Sequence, residues 1–204
     1  MLNKAHRLTS TSSVESRPVG LANLALWLLF AVVGLTALTL VFVHAPGRIK
    51  LIGLYAVVYG LIAGGALGLL ARKLRLPSTM RLVVISFLLI AAGEMGIAIE
   101  SHRVWAAGGW DAFDKSPTGK LAAEVLINPG SPADLRASLQ ESLDRQHEEF
   151  SFPGYLARRV SPLGAWPAPW PTVAWLAEVV LAAAAGCWAF QKQALALNAG
   201  GTCD

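Results

Sequence analysis

Two carboxylates sit where a charged group is most expensive. Glu94 and Glu178 lie inside long, otherwise apolar runs, Leu82–Ile99 and Thr172–Phe190. Placing a carboxylate in hydrocarbon costs about 3 kcal/mol on insertion scales, so such a group needs a partner or water. Three chemistries follow. Protonated or hydrogen-bonded, a glutamic acid can bridge to hydroxyls and hold helices together. Ionised beside water, it can bind a cation, a proton or a small basic solute. Near the rim of the same half, His44 and His102 with Glu100 could form a metal or catalytic site. The histidines lack HxxxH or HxxE spacing on a helix, so no metal ligand and no catalytic residue is assigned.

Hydroxyls for the first two chemistries are available. Tyr55 and Tyr59 stand one turn apart in the run Leu51–Ala71, and Thr36 and Thr39 lie in Leu21–Val43. Counted inward from the run ends at 1.5 Å per residue, all four reach depths comparable to the two carboxylates, about two to three turns. The expected intramembrane polar cluster is therefore Glu94, Glu178, Tyr55, Tyr59, Thr36 and Thr39. Gly119-Lys120 suggests a phosphate-binding loop, but Asp114 stands where its first glycine belongs and Leu121 where its Ser/Thr belongs. No cofactor is implied.

The elements that must position these groups are the four runs themselves. Each is close to the ~20 residues a helix needs to cross a bilayer, and Leu21–Val43 holds 23 residues without a formal charge. In hydrocarbon such a run survives as a helix that satisfies its own backbone. The chain is 54% hydrophobic and 15% charged with a mean hydropathy of +0.51, against about 25% charged for a soluble domain. The sequence predicts an all-α membrane protein of four transmembrane helices, with the lipid bilayer as its first partner. The first run, Leu21–Val43, exceeds a signal-peptide core and lacks a good cleavage site, so it is read as a retained span.

Over 204 residues this gives one bundle, 21–191, with a polar, disordered leader at 1–20, a loop at 101–171 and a short tail at 192–204. The net charge of +4 does not point to nucleic acid, because the basic residues gather at the ends of the runs. Arg72, Lys73, Arg75 and Arg81 flank the second turn without an acid, and the leader carries Lys4, Arg7 and Arg17. The long loop mixes seven basic residues, Arg158 and Arg159 among them, with eight acidic ones. Basic loops stay inside. A multi-pass protein of the cell membrane follows, with both termini cytoplasmic and the long loop outside. Cys187 and Cys203 imply no disulfide framework. Four spans with the largest loop before the last resemble tetraspanins in outline; the loop lacks their cysteines, and the likeness is one of topology.

Packing is also legible. Gly53, Gly60, Gly64 and Gly68 fall within about 80° on a helical wheel and form a ridge that lets backbones approach closely. The last run offers Ala174, Glu178, Ala182, Ala185 and Ala189. The seven tryptophans read as interfacial anchors. In the loop, Ser131-Pro132-Ala133-Asp134 predicts a helix start, followed by the apolar stripe Leu135, Leu139, Leu143 and Phe150. Residues 152–171, rich in proline and tryptophan, are expected to run extended. The function most consistent with these features is an accessory or scaffold component of a membrane assembly, self-associating or docked on other subunits. The alternative is transport or binding of a small solute, proton or cation by the carboxylates, and third a membrane-embedded enzyme.

Overall fold

A computed structural model of the chain describes residues 21–44, 53–77, 79–128 and 130–199, the last six by backbone alone. The leader, Ser78 and Cys203 lie outside the described residues. Every described element is helical: α1 Leu21–Val43, α2 Leu54–Lys73, α3 Met80–Lys115, α4 Pro117–Ile127, α5 Ala133–Glu149, α6 Phe152–Val160, a 3₁₀ turn Ser161–Leu163, and α7 Trp170–Ala199. α1, α2, α3 and α7 are long and apolar enough to cross a membrane. Such a set is compatible with a multi-pass membrane protein.

The four long helices alternate in direction, so α2 and α7 run parallel and make the most extensive contact of the bundle. One end, the turn end, is closed by the α2–α3 connection. There Arg75 takes a left-handed φ of 51°, and the Leu76 N–H reaches back to the Ala71 carbonyl at 3.0 Å. Leu76 is buried beneath this bond. The pattern is a Schellman stop, with the hydrophobic contact that usually accompanies it. Thr79 then caps α3, accepting from the Leu82 N–H.

α2 and α7 meet glycine to backbone. A Cβ on Gly60 would strike the Ala182 carbonyl, one on Gly64 the Gly186 carbonyl, and one on Gly68 would lie 3.1 Å from the Phe190 carbonyl oxygen. Each pair is offset by the same number of residues, as two parallel helices with four-residue small-residue repeats require. Gly60, Gly64 and Gly68 thus lie on the face of α2 that approaches α7. Gly53 precedes the helix instead, at φ 79°, with nothing near its missing Cβ. The partner stripe is Glu178, Ala182, Gly186 and Phe190 rather than one through Ala185 and Ala189.

Two tryptophans are buried in the protein rather than presented at its surface. Trp27 is fully buried and donates its indole N–H to the Leu67 carbonyl at 3.2 Å, tying α1 to α2. Trp175 is buried with Ala98, Leu156 and Val179. Trp166, Trp170 and Trp188 remain well exposed.

The segment expected as a loop is mostly helix. α3 does not stop with its apolar run but continues through polar residues for 36 residues, about 54 Å at 1.5 Å each. That is longer than a ~30 Å hydrocarbon core is thick. Ser116 ends α3 and starts α4, its Oγ accepting from Gly119 N at 3.0 Å with Pro117 in the first turn. Ser151 repeats the device for α6, accepting from Gly154 N at 3.2 Å with Pro153 in the first turn. Pro153 was expected to extend the chain. It sits where a helix has no use for its N–H, and so favours the helix instead. Within 152–171, non-helical backbone is confined to 164–169, between the 3₁₀ turn and α7. α5 begins at Ala133, one residue later than its cap pattern suggests, and Leu139 packs on Ala122 and Val125 of α4. At the far end α7 runs through the expected tail as far as Ala199.

Candidate functional site

The polar residues converge at the loop end of the bundle, where α6 folds back against α3 and α7. α6 is amphipathic: Phe152, Leu156 and Val160 recur every four residues, and the last two are buried. The same four-residue spacing carries Tyr155 and Arg159 toward the mouth of the bundle. His102 fixes the approach. Its Nε2–H donates to the Phe150 carbonyl at 2.8 Å, and its ring is flanked by Trp105, Phe152 and Tyr155. Trp105 and Trp110 pack edge-on against Phe150. These rings hold the loop helices on the end of α3.

Glu178 is the hinge point of the arrangement. Its Oε1 accepts the Gly53 N–H at 2.6 Å, and its Oε2 meets Arg159 Nη2 at 2.8 Å. Only 6% of the Glu178 side chain and 16% of the Arg159 side chain are exposed. Gly53 offers an N–H at the positive end of α2, which needs an acceptor and attracts a negative charge. One carboxylate therefore joins three segments: α7, the start of α2 and the end of α6. The other ion pairs, Glu100–Arg103, Asp111–Lys115, Glu141–Arg145 and Glu149–Arg158, are solvent-exposed. Pairs of that kind contribute about 0–1 kcal/mol.

Glu94 is 1% exposed, within electrostatic reach of Arg159 and Glu178, and its Oε2 has no hydrogen-bond partner. Tyr55 donates to the Phe42 carbonyl and packs on the Phe42 ring with centroids 4.8 Å apart. Tyr59 is fully buried, its hydroxyl pressed over Gly93 beside Thr39. A Cβ at 93 would collide with that hydroxyl, so this close approach of Tyr59 to α3 uses the glycine.

Of the six residues expected to cluster, the structure brings Glu94, Glu178, Tyr55 and Tyr59 into the interior of one half, with Thr39 at its edge. Thr36 is exposed and donates to the Val32 carbonyl of its own helix at 2.8 Å, so it does not belong. His44 likewise caps α1 through the Leu40 carbonyl, and Glu100 pairs on the surface with Arg103. Among the described residues, no three His, Cys, Asp or Glu come together as a metal site would require.

Arg159 is the residue for which the sequence offered no partner; there it counts only among the basic residues of the long loop. A usable signal existed: Ser151 and Pro153 start a helix whose apolar positions, 152, 156 and 160, place Arg159 beside the buried face. Compared with known proteins, the chain matches no family model, no curated protein and no solved structure.

Proposed function

We propose that the chain is a multi-pass component of the cell membrane that acts as an accessory or scaffold subunit. Its α2–α3 turn would face the cytoplasm and its α4–α6 segment the outside. The observation that carries this reading is the use made of Glu178. The costliest polar group of the last span has both oxygens committed to protein partners, Gly53 and Arg159. Such a group serves cohesion rather than turnover. The turn half of the bundle is filled by apolar side chains, among them Trp27, Leu67, Leu82 and Phe190, which argues against a polar path through the protein. α1 buries only Trp27, Ala31 and Leu35 and leaves Leu29, Phe30, Val33 and Val41 exposed. That face suits lipid or the helix of another subunit or copy.

Purification in mild detergent followed by mass measurement tests the proposal. A complex heavier than one chain, by self-association or a stoichiometric partner, is the expected outcome. A monomer that purifies alone and carries a pH-dependent cation-binding signal would favour the second reading, solute or cation handling at Glu94, whose unpartnered Oε2 is the one observation in its favour.

Orientation is tested separately. Single cysteines at Ser138 and Arg75, both exposed, should label differently. Ser138→Cys should react with an impermeant maleimide on intact cells, and Arg75→Cys only after permeabilisation. The basic residues Arg72, Lys73, Arg75 and Arg81 motivate the prediction. The reverse pattern would invert the topology.

A further inference from the structure

Above the Glu178–Arg159 pair lies a cavity of about 290 Å³ between α3 and α6. Its walls are Ile97, Ala98 and Trp105 on one side and Tyr155 and Pro162 on the other, with Tyr55 also lining it. Its polar equipment is one-sided. Arg158 and Arg159 both line it, and no carboxylate does. Arg159 gives Nη2 to Glu178, and among the described residues its guanidinium makes no second ion pair. Arg158 lies over the Trp105 ring at 5.7 Å, with its nearest acid, Glu149, 4.0 Å away. Ser101, also in the lining, has its Oγ buried without a hydrogen-bond partner. A buried hydroxyl left unpaired carries a desolvation cost that a ligand oxygen would remove. Glu94 does not line the cavity; it sits one turn deeper on α3 than Ala98.

Two cationic side chains, an unpaired hydroxyl and aromatic or aliphatic walls in one lining together fit one kind of ligand. We propose that this cavity binds an oxyanion, phosphate or carboxylate, carried on an apolar body, with Arg158 and Arg159 as its charge partners and Ser101 as a hydrogen-bond partner. Guanidinium groups recognise phosphate and carboxylate through charge-assisted hydrogen bonds. The volume is at the small end of ligand pockets, which suits a headgroup or a small organic anion. Trp105 and Tyr155 have the amphipathic rings that prefer the headgroup level of a bilayer. The chemistry is shared by two sources, an acidic phospholipid and a free organic anion. The proposal is independent of the scaffold reading, since a scaffold and a transporter could both carry such a site.

The test uses the full chain, with two probes. In the first arm it is placed in phosphatidylcholine nanodiscs containing a minor share of phosphatidylglycerol, and retained lipid is identified by native mass spectrometry. In the second it is held in neutral detergent and titrated with phenyl phosphate, with inorganic phosphate for comparison, while thermal unfolding is followed. Two variants accompany each arm. Arg158→Gln removes a charge whose side chain is 66% exposed and leaves the buried pair intact. Ser101→Leu fills the cavity. Selective retention of phosphatidylglycerol assigns a lipid site, and stabilisation by phenyl phosphate beyond inorganic phosphate assigns a solute site. In either case both variants should weaken binding by about tenfold or more, the loss of one charge-assisted hydrogen bond or of the space itself. Absence of preference for either probe overturns the proposal. Undiminished binding in Arg158→Gln or in Ser101→Leu overturns it too, because the first would remove the charge partner from the account and the second the cavity.

Discussion

Gly64→Leu should destabilise the bundle by more than about 3 kcal/mol, whereas Gly65→Leu, one residue away, should leave its melting in detergent close to wild type. A Cβ on Gly64 would lie 2.5 Å from both the carbonyl carbon and the Cα of Gly186, and would overlap the Gly186 carbonyl oxygen. The neighbour is backbone within a helix, which cannot turn aside as a flexible side chain would. Overpacking usually costs about 1–3 kcal/mol when side chains can adjust, and more when they cannot. Gly65 has no atom within 4 Å of its missing Cβ, and neither has Gly34. Gly60→Leu should resemble Gly64→Leu, through the Ala182 backbone. Because the first added carbon already collides, Gly64→Ala should cost a large part of what Gly64→Leu costs. Thermal unfolding of the three leucine variants decides the matter. Equal melting temperatures would mean that α2 and α7 are held apart in solution.

The contact between these helices was partly legible because packing in an apolar medium leaves a repeat that composition does not hide. Gly60, Gly64 and Gly68 are spaced by four, and so are Ala182, Gly186 and Phe190. What misled the reading on α7 was the run of alanines at 182–185, which offers more than one stripe of small residues. Only the partner helix chooses between them. Gly53 joined the ridge on a helical wheel because the wheel assumes a helix that in fact begins at Leu54. Its role, presenting an N–H to Glu178, depends on a backbone angle that the residue type permits but does not announce.

The loop was the least legible part, for a different reason. Hydropathy marks where the membrane would end, not where a helix ends. α3 passes from Ile99 into Glu100 and His102 without a break, since nothing in that stretch stops a helix until Ser116 and Pro117. Proline density then suggested extended chain over 152–171, although Pro153 follows closely on a capping serine and so starts a helix. Once α6 is missed, Arg159 has no assignable partner. The carboxylates could be named from one sequence because they violate their surroundings. Their counter-charge could not, because an arginine in a polar segment violates nothing.

Arg159→Met is accordingly expected to cost about 3–5 kcal/mol, the usual price of stranding one member of a buried pair. It would leave Glu178 with a single partner, the Gly53 N–H, in a site that is almost closed to water. The loss should exceed that of Arg145→Met severalfold, because the Arg145–Glu141 pair is exposed on both sides. Glu178→Leu should be comparably severe, since it removes the acceptor of the Gly53 N–H together with the partner of Arg159. The double change Arg159→Met with Glu178→Leu should recover much of the deficit, as apolar replacement of a buried pair often does. The unpaired Gly53 N–H should hold back about 1–3 kcal/mol. Glu94 supplies the contrast. Its Oε2 gives up no hydrogen bond when removed, so Glu94→Gln should melt near wild type and Glu94→Leu should cost less than Glu178→Leu. Melting in detergent gives these differences, and limited proteolysis gives their location: undocking of α6 should expose the 152–169 segment in Arg159→Met before the four long helices unfold. If Arg159→Met melts like wild type and stays protected, the pair does not hold α6 to α7. If the double variant is no better than the worse single one, the two residues act separately, and Glu178 matters only as the acceptor at the start of α2.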